Sequence, residues 1–441
     1  MSKIMQIESN KASIKSSSEA TEKQIPKSTA GILKFLAPSQ INWQEIRPDT
    51  ARISDKNKKN EIDGKAKEAK RTLDEMLLSS LQMSNLVILS GSGTSLGDVG
   101  GPSMKDLWNY AINNELNGPN EKAIKIMNKV NFVEEKEGKN IEAFLSQCEA
   151  YLQVKEDKKV RDFVEHCKRV ILDKCSEFLK DENAGVWFDE KLEGHCTFLH
   201  RLSRRRVRDP RLKVFTTNYD LCFERAASLQ SLIINDGFSY TQPRIFDPRF
   251  FGYDTVRRSL AAAERGDYLE GVFHLLKLHG SVNWARSSNG RIEEKNNPEP
   301  PEACLIYPAK GKYQLSYIQP HLELISQYLT SLREPNTCLI VTGFGFNDDH
   351  LSEPILAAVK INPRLRLIVV DFKAEDSIEK PSEETSRYWK EFSTLAKNGE
   401  DIWFINASFK DFASLIPDLR SLTTAQQLEK VIKRSLGGAN E

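Results

Sequence analysis

The sequence predicts an α/β fold with a mostly parallel sheet, a large helical insertion and a flexible N-terminal tail. The first observation is a series of short, apolar, β-rich runs, such as NLVILS, RLKVF and TCLIVT. The second is the helix-like stretches between several of them, such as HLELISQYLTSL, because strands that alternate with helices form parallel sheets buried on both faces. The third is that several runs end in glycine or polar residues, where an open parallel sheet binds its ligands.

Composition sets limits on function. The chain has 441 residues, of which 39% are hydrophobic and 28% are charged, so it can form a sizeable core with a well-solvated surface. The net charge of +1 gives no overall attraction to nucleic acid or to an acidic membrane. The sequence begins without the apolar region of a signal peptide, and no apolar run is long enough to cross a bilayer. We therefore expect a cytoplasmic protein with no membrane contact.

The seven cysteines contain no CxxC pair. They are Cys148, Cys167, Cys175, Cys196, Cys222, Cys304 and Cys338. An odd count with scattered spacing favours reduced, packed thiols over a disulfide framework or a zinc ribbon. We expect no structural zinc and no other metal site.

The N-terminal segment, residues 1–72, is predicted to be flexible and to dock on a partner. Residues 1–30 are rich in Ser, Lys and Glu and show no apolar periodicity. The run GILKFLAPSQINW (31–43) is an apolar island that cannot form a core alone, so it docks on this chain or on a neighbour. The charge run at 55–71 indicates the solvated start of a helix that continues through TLDEMLLSSLQM. A folded domain over residues 73–441 follows.

A helical insertion is predicted within that domain at residues 103–208. The segments DLWNYAINNEL, NIEAFLSQCEAYL and VRDFVEHCKRVILDKCSEFL each place apolar residues at i and i+3 or i+4, which is the pattern of an amphipathic helix. The insertion separates the strand NLVILS from the strand RLKVF, so it lies between the first two strands that end in polar residues.

Five strand ends carry polar or glycine residues, and we expect them to form one ligand site. The carboxyl ends of parallel strands meet at the same edge of a sheet, as in Rossmann-like folds. The five ends are GSGTSLGDVGG (91–101), TTNYD (216–220), HGS (279–281), GFGFNDD (343–349) and Asp371.

The first strand end is a candidate phosphate-binding turn. Glycines let backbone N–H groups approach a pyrophosphate, and neighbouring hydroxyl groups add donors. The predicted contacts are Gly91, Ser92, Gly93, Thr94 and Ser95. The pattern departs from GxGxxG, because Leu96 takes the place of the third glycine. A tight turn between a strand and a helix is therefore the alternative.

The next two strand ends supply an amide, a carboxylate and an imidazole. Asn218 can hold a water molecule or a ribose hydroxyl, with Thr217 and Asp220 as further polar contacts. His279 suits general base catalysis at neutral pH, since the unperturbed pKa of histidine is about 6.5. The alternatives are that Asp220 caps the helix beginning LCFERAA and that His279 is a satisfied core residue.

The last two strand ends are candidates for contacts to a ribose. Gly343 and Gly345 form a second glycine-bearing turn. Asp371 ends the following strand, where a carboxylate can take ribose hydroxyls. The alternative for this region is that Asn347 or Asp348 caps the helix that follows.

These motifs, in this order, resemble those of the sirtuin family. The turn at 91–95 is similar to the sirtuin GAGxS motif, and TTNYD at 216–220 is similar to TQNID. His279-Gly280 matches the HG motif, and Gly343-Phe344-Gly345 follows on a later strand. The chain departs from protein-deacylating sirtuins because it lacks their CxxC…CxxC zinc ribbon and has PSMK where they carry Pro-Asp-Phe-Arg.

The combination of GGPSMKDLW, FTTNYD, KLHGSVNW and GFGFNDDH looks like the sirtuin-like effectors of bacterial anti-phage defence. The resemblance implies that residues 73–441 bind NAD as a substrate and hydrolyse it to nicotinamide and ADP-ribose, which depletes NAD+ in the infected cell. It implies that Asn218 positions water or ribose, that Asp220 takes the carboxamide and that His279 is the base. It also implies a HerA-type ATPase partner. We expect a homo-oligomer as well, because an enzyme that destroys NAD+ needs a brake.

Other functions stay open at the level of sequence. The same site suits an NAD-dependent protein deacylase or an ADP-ribosyltransferase, although the missing zinc ribbon counts against deacylation. A non-catalytic NAD-binding scaffold and a nuclease component of a complex are further alternatives. The basic run RLSRRRVRDPRLK (201–213) could meet phosphates, but such runs are usually solvated helix ends. We expect contact with nucleic acid only through a partner or through this weak basic patch.

Overall fold

The computed structural model describes residues 33–48, 55–114, 118–181, 185–205, 209–257, 267–307 and 319–418. The tail predicted at residues 1–30 lies outside these ranges, as do residues 206–208 of the basic run. Within them, strands and helices alternate around one large sheet. The prediction of an α/β fold with a mostly parallel sheet is confirmed.

The strands within the described ranges are numbered in chain order. They are β1 (Lys34–Leu36), β2 (Gln44–Glu45), β3 (Asn85–Ser90), β4 (Asn113–Asn114), β5 (Gly118–Pro119), β6 (Leu212–Thr216), β7 (Ile233–Asn235), β8 (Val256–Arg257), β9 (Asp267–Tyr268), β10 (Val272–Lys277), β11 (Gly280–Arg286), β12 (Ile292–Glu294), β13 (Ala303–Leu305), β14 (Thr337–Thr342), β15 (Leu365–Asp371) and β16 (Ile402–Asn406). Nine of them form the central sheet in the order β2-β1-β16-β15-β14-β3-β6-β10-β7, and β11 pairs with β12 and β13 in a smaller antiparallel sheet.

The described helices cover both faces of that sheet and fill the stretch between β3 and β6. They are α1 (Lys56–Leu81), α2 (Met104–Ile112), α3 (Glu121–Val130), α4 (Glu134–Glu137), α5 (Ile141–Val154), α6 (Lys158–Glu177), α7 (Glu193–Leu202), α8 (Cys222–Leu229), α9 (His321–Arg333), α10 (Asp349–Ile361), α11 (Ala374–Glu379), α12 (Arg387–Lys397) and α13 (Phe409–Leu415). The helix predicted from the charge run at 55–71 is α1, whose N-cap is Asp55.

The strand order reverses beside β3. From β3 the chain builds β6, β7 and β10 on one side, and it then returns to build β14, β15 and β16 on the other side. The strands from β16 to β7 pair in parallel, whereas β1 and β2 lie antiparallel at the edge next to β16. The crevice outside β3 and β14 is a topological switch point, the place where open α/β sheets bind ligands.

Alternating side chains of the central strands enter two separate cores. In β3, Val87 and Leu89 face the core that includes Tyr328 of α9, while Ile88 faces the core that includes Phe198 of α7. Both faces of the sheet are therefore apolar, which explains why the strands read as continuous hydrophobic runs. The apolar island predicted at 31–43 docks on this chain in its described part, because Phe35 of β1 is fully buried against the second core.

The helices between β3 and β6 have a core of their own. Ser103 and Asp106 form a capping box that starts α2 directly after the glycine turn. Trp108 of α2 and Phe144 of α5 meet in this core with ring centroids 6.0 Å apart. Val282 of β11 belongs to the same core, so the helices pack beside the strand that follows His279.

Candidate functional site

Two glycine turns meet at the switch point, one after β3 and one after β14. The Gly91 amide donates to the Thr342 carbonyl at 3.0 Å, and the Gly93 amide donates to the Gly343 carbonyl at 2.8 Å. A Cβ at Gly91 would lie 2.6 Å from the oxygen of Gly343. Gly343 has a φ of +60°, and a Cβ there would lie 2.6 Å from the nitrogen of Thr94. The sequence needs glycine at these positions because two backbones approach each other closely.

The hydroxyl groups of the first turn differ in their surroundings. Thr94 and Ser95 are buried, whereas Ser92 is exposed. Thr94 Oγ1 donates to the Gly91 carbonyl at 2.9 Å and lies 3.0 Å from Ser90 Oγ. Among the three predicted hydroxyl contacts, Thr94 and Ser95 hold the turn together from within, and Ser92 is the one accessible to a ligand.

The loop after β6 brings Asn218 and Asp220 into contact with the first turn. Asn218 Nδ2 donates to Ser95 Oγ at 2.9 Å and to Thr94 Oγ1 at 3.2 Å. Asp220 Oδ2 accepts from Ser95 Oγ at 2.8 Å. Its Oδ1 accepts from the Cys222 amide, at the start of α8, at 3.0 Å. The N-cap residue of α8 is Leu221, so Asp220 bonds the first amide of the helix from one residue before the cap, while its other oxygen bonds the glycine turn.

The backbone of this loop is fixed at several points. The Thr217 amide donates to the Ser90 carbonyl at 3.0 Å, which extends the pairing of β6 with β3. The Tyr219 carbonyl accepts from the Val282 amide at 3.0 Å. The Tyr219 hydroxyl donates to the carbonyl of Ile306 at 2.6 Å. The loop is therefore held between the glycine turn and the smaller sheet.

His279 lies between β10 and β11 and is 3% exposed. Its Nε2 lies 3.4 Å from Nε2 of His350, and the two rings stack at a centroid distance of 5.6 Å. Gly280 has a φ of +87°, and a Cβ there would overlap the carbonyl oxygen of Cys304. The glycine after His279 is thus required by the approach of β13.

Two site residues were not predicted from the sequence. His350 lies in the first turn of α10, and the signal for it was a histidine directly after the two aspartates of GFGFNDDH. Lys277 is only 2% exposed, and it was visible as the one charged residue inside the apolar run VFHLLKL. A charge placed in a buried strand needs partners, and that need was the available clue.

The predicted ribose contacts lie at the ends of β14 and β15. The Gly343 amide donates to the Val370 carbonyl at 3.2 Å, so Asp371 stands beside the second glycine turn. Asp371 is half-buried, and its Oδ1 accepts from the Lys373 amide at 2.8 Å. Burial raises the pKa of the Asp371 carboxyl. Gly345 is exposed.

The second turn is anchored by an aromatic side chain. Phe346 has a φ of +60° and is fully buried, and its ring centroid lies 5.3 Å from that of Trp389 and 5.2 Å from that of Phe392. Asp348 occupies the N-cap position of α10 without a side-chain capping bond. Asp348 is thus the N-cap residue by position, as that alternative predicts, but its side chain does not make the capping bond.

A family comparison covers four of the five strand ends. Residues 212–395 match the family model of the SIR2-like domain. The matched segment contains Asn218, His279 and Asp371, and the glycine turn at 91–95 precedes it. The match spans less than half of the chain, and it supports the resemblance to sirtuins in this region.

Solved structures of Sir2 homologues are distantly similar to this chain over 78% to 80% of its length. One is a Sir2 homologue in complex with NAD, which is 13% identical with a TM-score of 0.37 over 78% of this chain and 91% of that chain. Another is a Sir2 homologue mutant in complex with 2′-O-acetyl ADP-ribose, 13% identical with a TM-score of 0.38 over 80% of this chain and 98% of that chain. No curated protein matches the sequence.

Arginines of the basic run are used within the protein. Arg201 donates to three carbonyl oxygens at the end of α13, and Arg205 donates to the carbonyls of two residues that follow α1. Arg211 pairs with Asp254 at 2.8 Å. These three side chains stabilise loop and helix ends, which reduces what the run can offer to phosphates.

The described residues contain no group of three or more His, Cys, Asp or Glu side chains that could hold a metal ion. No helix in the same ranges is long and apolar enough to cross a membrane. All seven cysteines are free thiols, and every one except Cys196 is buried. Burial raises the pKa of Cys148 to about 12, so this thiol stays protonated at neutral pH.

Proposed function

We propose that this chain is an NAD+ glycohydrolase that releases nicotinamide and ADP-ribose. The observation that carries the proposal is the direct hydrogen bonding of Asn218 and Asp220 to the glycine turn at the switch point. His279 adds a titratable imidazole at the end of the adjacent strand β10. The match of residues 212–395 to the SIR2-like domain supports NAD+ as the substrate.

The reaction breaks the bond between ribose C1′ and the nicotinamide nitrogen. Water adds to C1′, nicotinamide leaves as a neutral ring, and one proton is released. The transition state has oxocarbenium character, as in glycoside hydrolysis, so the site must position water and stabilise positive charge on the ribose.

Asn218 suits the positioning of water. Both Nδ2 hydrogens are used by Thr94 and Ser95, so Oδ1 is the amide atom left to accept a hydrogen bond from water or from a ribose hydroxyl. His279 takes the proton from the ribose hydroxyl or the water, and Asp220 receives the carboxamide. Gly343, Gly345 and Asp371 hold the adenosine side of the dinucleotide. The amides of Gly91, Gly93, Thr94 and Ser95 donate within the protein, so Ser92 is the residue of the first turn that contacts the pyrophosphate.

A groove favours a second candidate, transfer of ADP-ribose to a protein acceptor. The groove has a volume of about 1020 Å³, lies between α9 and α10 and is lined largely by apolar residues such as Ile325, Leu329 and Ile361. His350, which stacks on His279, lines it as well. An acceptor segment that packs in this groove would end close to the proposed base.

The biological role that we propose is depletion of NAD+ in anti-phage defence, with a HerA-type ATPase as partner and a homo-oligomer as the working form. The proposal follows from the resemblance of GGPSMKDLW, FTTNYD, KLHGSVNW and GFGFNDDH to such effectors. A quaternary brake is physically reasonable, because α2, α3, α5 and α6 share one core with Val282 of β11 and with Tyr219 of the loop after β6. A partner that displaced those helices would therefore move β11, which follows His279, and the loop that carries Asn218 at the same time.

Product analysis separates the two candidates. The purified chain is incubated with NAD+ labelled in the adenosine, with and without a HerA-type ATPase. Hydrolysis predicts equal amounts of nicotinamide and free ADP-ribose. Transfer predicts nicotinamide together with label that stays on protein after denaturation. Intact NAD+ under both conditions would reject the two candidates together.

A further inference from the structure

A buried ion pair lies directly beneath the loop that carries Asn218 and Asp220. Lys277 is the last residue of β10, and its side chain is 2% exposed. Its Nζ lies 2.9 Å from Oε1 of Glu224, which belongs to α8 and is 27% exposed. A fully buried ammonium group is rare in proteins unless it is paired and hydrogen-bonded.

The same ammonium group reaches the loop backbone. Lys277 Nζ donates to the carbonyl of Tyr219 at 3.2 Å and also to the carbonyl of Asp220. With the Glu224 carboxylate, these acceptors use all three of its hydrogens. The two carbonyls belong to the peptide units on either side of the Asp220 Cα, and Asn218 lies only two residues earlier. A shift of the ammonium group would therefore move the loop backbone from which Asn218 and Asp220 project.

Lys277 also connects two parts of the site through its own backbone. It pairs in register with Thr216, the last residue of β6, and it lies two residues before His279. Lys277 therefore bonds to the Tyr219–Asp220 backbone through its side chain, and its main chain continues directly to His279. The distance between the Asn218 side-chain amide and the His279 imidazole therefore depends on Lys277.

Glu224 holds the ammonium group in place. Burial raises the pKa of the Glu224 carboxyl, and the charge of Lys277 acts against that rise. Without Glu224, the ammonium group would keep only uncharged carbonyl partners in a dry environment. Without Lys277, the two carbonyls and the carboxylate would each lose a donor.

We propose that Lys277, anchored by Glu224, is a positioning residue that sets Asn218 and Asp220 in register with His279. The proposal rests on the proposed NAD+ hydrolysis for its effect on catalysis, but its effect on the loop does not. Removing the Lys277–Glu224 pair leaves Asn218, Asp220 and His279 in place but allows the loop that carries the first two to move. A displacement of about 1 Å at a reacting group lowers turnover by up to about 100-fold.

The test uses the double variant Lys277→Met/Glu224→Gln, which keeps side-chain volume and leaves no unpaired charge. Lys213→Met is the matched control, since Lys213 is a partly buried lysine of the neighbouring strand β6 that bonds to Ser331 Oγ at 3.1 Å, away from the loop. Amide hydrogen exchange of residues 217–222 is measured by mass spectrometry without nucleotide, together with Tm, kcat and KM for NAD+.

We expect exchange at 217–222 to become about tenfold faster in the double variant. We expect kcat to fall about 10- to 100-fold while KM changes less. The control should leave all of these values unchanged. Wild-type exchange together with wild-type kcat in a folded double variant would overturn the proposal. Faster exchange in the double variant, when the wild type itself consumes no NAD+, would support the positioning of the loop and reject the proposed function.

Glu224→Gln alone keeps the test decisive if the double variant does not fold. It retains Lys277 and both carbonyl bonds but removes the ionic anchor. We expect exchange at 217–222 and kcat to change in the same directions by smaller factors. Wild-type values for both would overturn the proposal.

Discussion

The two sides of the switch point are built differently. On the β6–β10 side, Asn218, Asp220 and His279 are 7%, 8% and 3% exposed, and each is bonded to neighbouring side chains. On the β14–β15 side, Gly345 is exposed and Asp371 is half-buried with one backbone amide bonded to its carboxylate. The polar groups of the first side are buried and already bonded to one another, whereas the second side is partly exposed.

This difference suggests a division of labour. Groups that act on a developing charge are most effective when they are fixed in advance and shielded from water. Groups that hold a sugar only need to exchange bound water for sugar hydroxyls, which a partly exposed carboxylate such as that of Asp371 can do. We therefore assign the chemistry to the β6–β10 side and binding of the adenosine to the β14–β15 side.

The largest expected effect is on the β6–β10 side. Asn218→Ala and His279→Ala should each lower kcat for NAD+ loss by about 10²- to 10⁴-fold, because each removes a group that acts on the reacting atoms. Nicotinamide release gives the rate, and thermal unfolding confirms that both variants stay folded. Wild-type turnover in both folded variants would remove these residues from the site.

The next effect compares two glycines of one turn. Gly343→Ala should destabilise the fold by about 1 to 3 kcal/mol and weaken NAD+ binding, because it places a Cβ at positive φ against the first glycine turn. Gly345→Ala is the control for stability, since its Cβ would meet only the side chain of Asn347, with Nδ2 at 3.4 Å. Denaturant unfolding and NAD+ titration measure both. Equal behaviour of the two variants would contradict the close approach of the two turns.

A smaller effect is expected on the β14–β15 side. Asp371→Ala should raise KM for NAD+ about tenfold, the loss of about one charge-assisted hydrogen bond, and should leave kcat nearly unchanged. Steady-state kinetics separate the two parameters. A collapsed kcat with an unchanged KM would place Asp371 in the chemistry and break the proposed division.

The smallest effect on activity is expected at His195, which packs against Phe223 of α8. His195 is fully buried between Phe223 and Phe409, and both of its ring nitrogens lack a hydrogen-bond partner among the described residues. Burial lowers the pKa of His195 to about 4. Because the unfolded chain takes up a proton near pH 6.5 and the folded chain does not, stability falls as the pH drops from 6.5 toward 4.

His195→Phe should remove that acid-dependent loss. We expect the free energy of unfolding at pH 5 to rise by about 2 kcal/mol relative to the wild type, with a smaller gain at pH 7. Denaturant unfolding at the two pH values measures the difference, and kcat at pH 7 should not change. A larger gain at pH 7 than at pH 5 would have the wrong sign for a buried neutral imidazole.

Sequence reasoning located the fold and the strand ends because both follow from local patterns. Continuous apolar runs with intervening amphipathic helices specify a parallel sheet, and the polar residues that interrupt such runs mark its ligand edge. Gly91 and Asp371 were found in this way. Gly91 directly follows β3 and Asp371 ends β15, so both lie at the predicted ligand edge of the sheet. Their roles toward NAD+ stay predictions.

The pairings inside the site could not be predicted, because they join segments far apart in the chain. His350 meets His279 across 71 positions, and Lys277 meets Glu224 across 53. The close approach of the β13 backbone to Gly280 is another contact between segments that are distant in the chain. Local periodicity indicates which face a residue takes, and only the packing of elements decides which side chain it meets.

The central claim is that the β6–β10 side cleaves NAD+ and the β14–β15 side binds it. Proton NMR of NAD+ with the wild-type chain, Asn218→Ala and Asp371→Ala at saturating and at low substrate tests it most directly. The account predicts free nicotinamide and ADP-ribose from the wild type, loss of turnover at both concentrations in Asn218→Ala, and loss at low substrate alone in Asp371→Ala. Turnover restored by saturating NAD+ in Asn218→Ala but not in Asp371→Ala would contradict it.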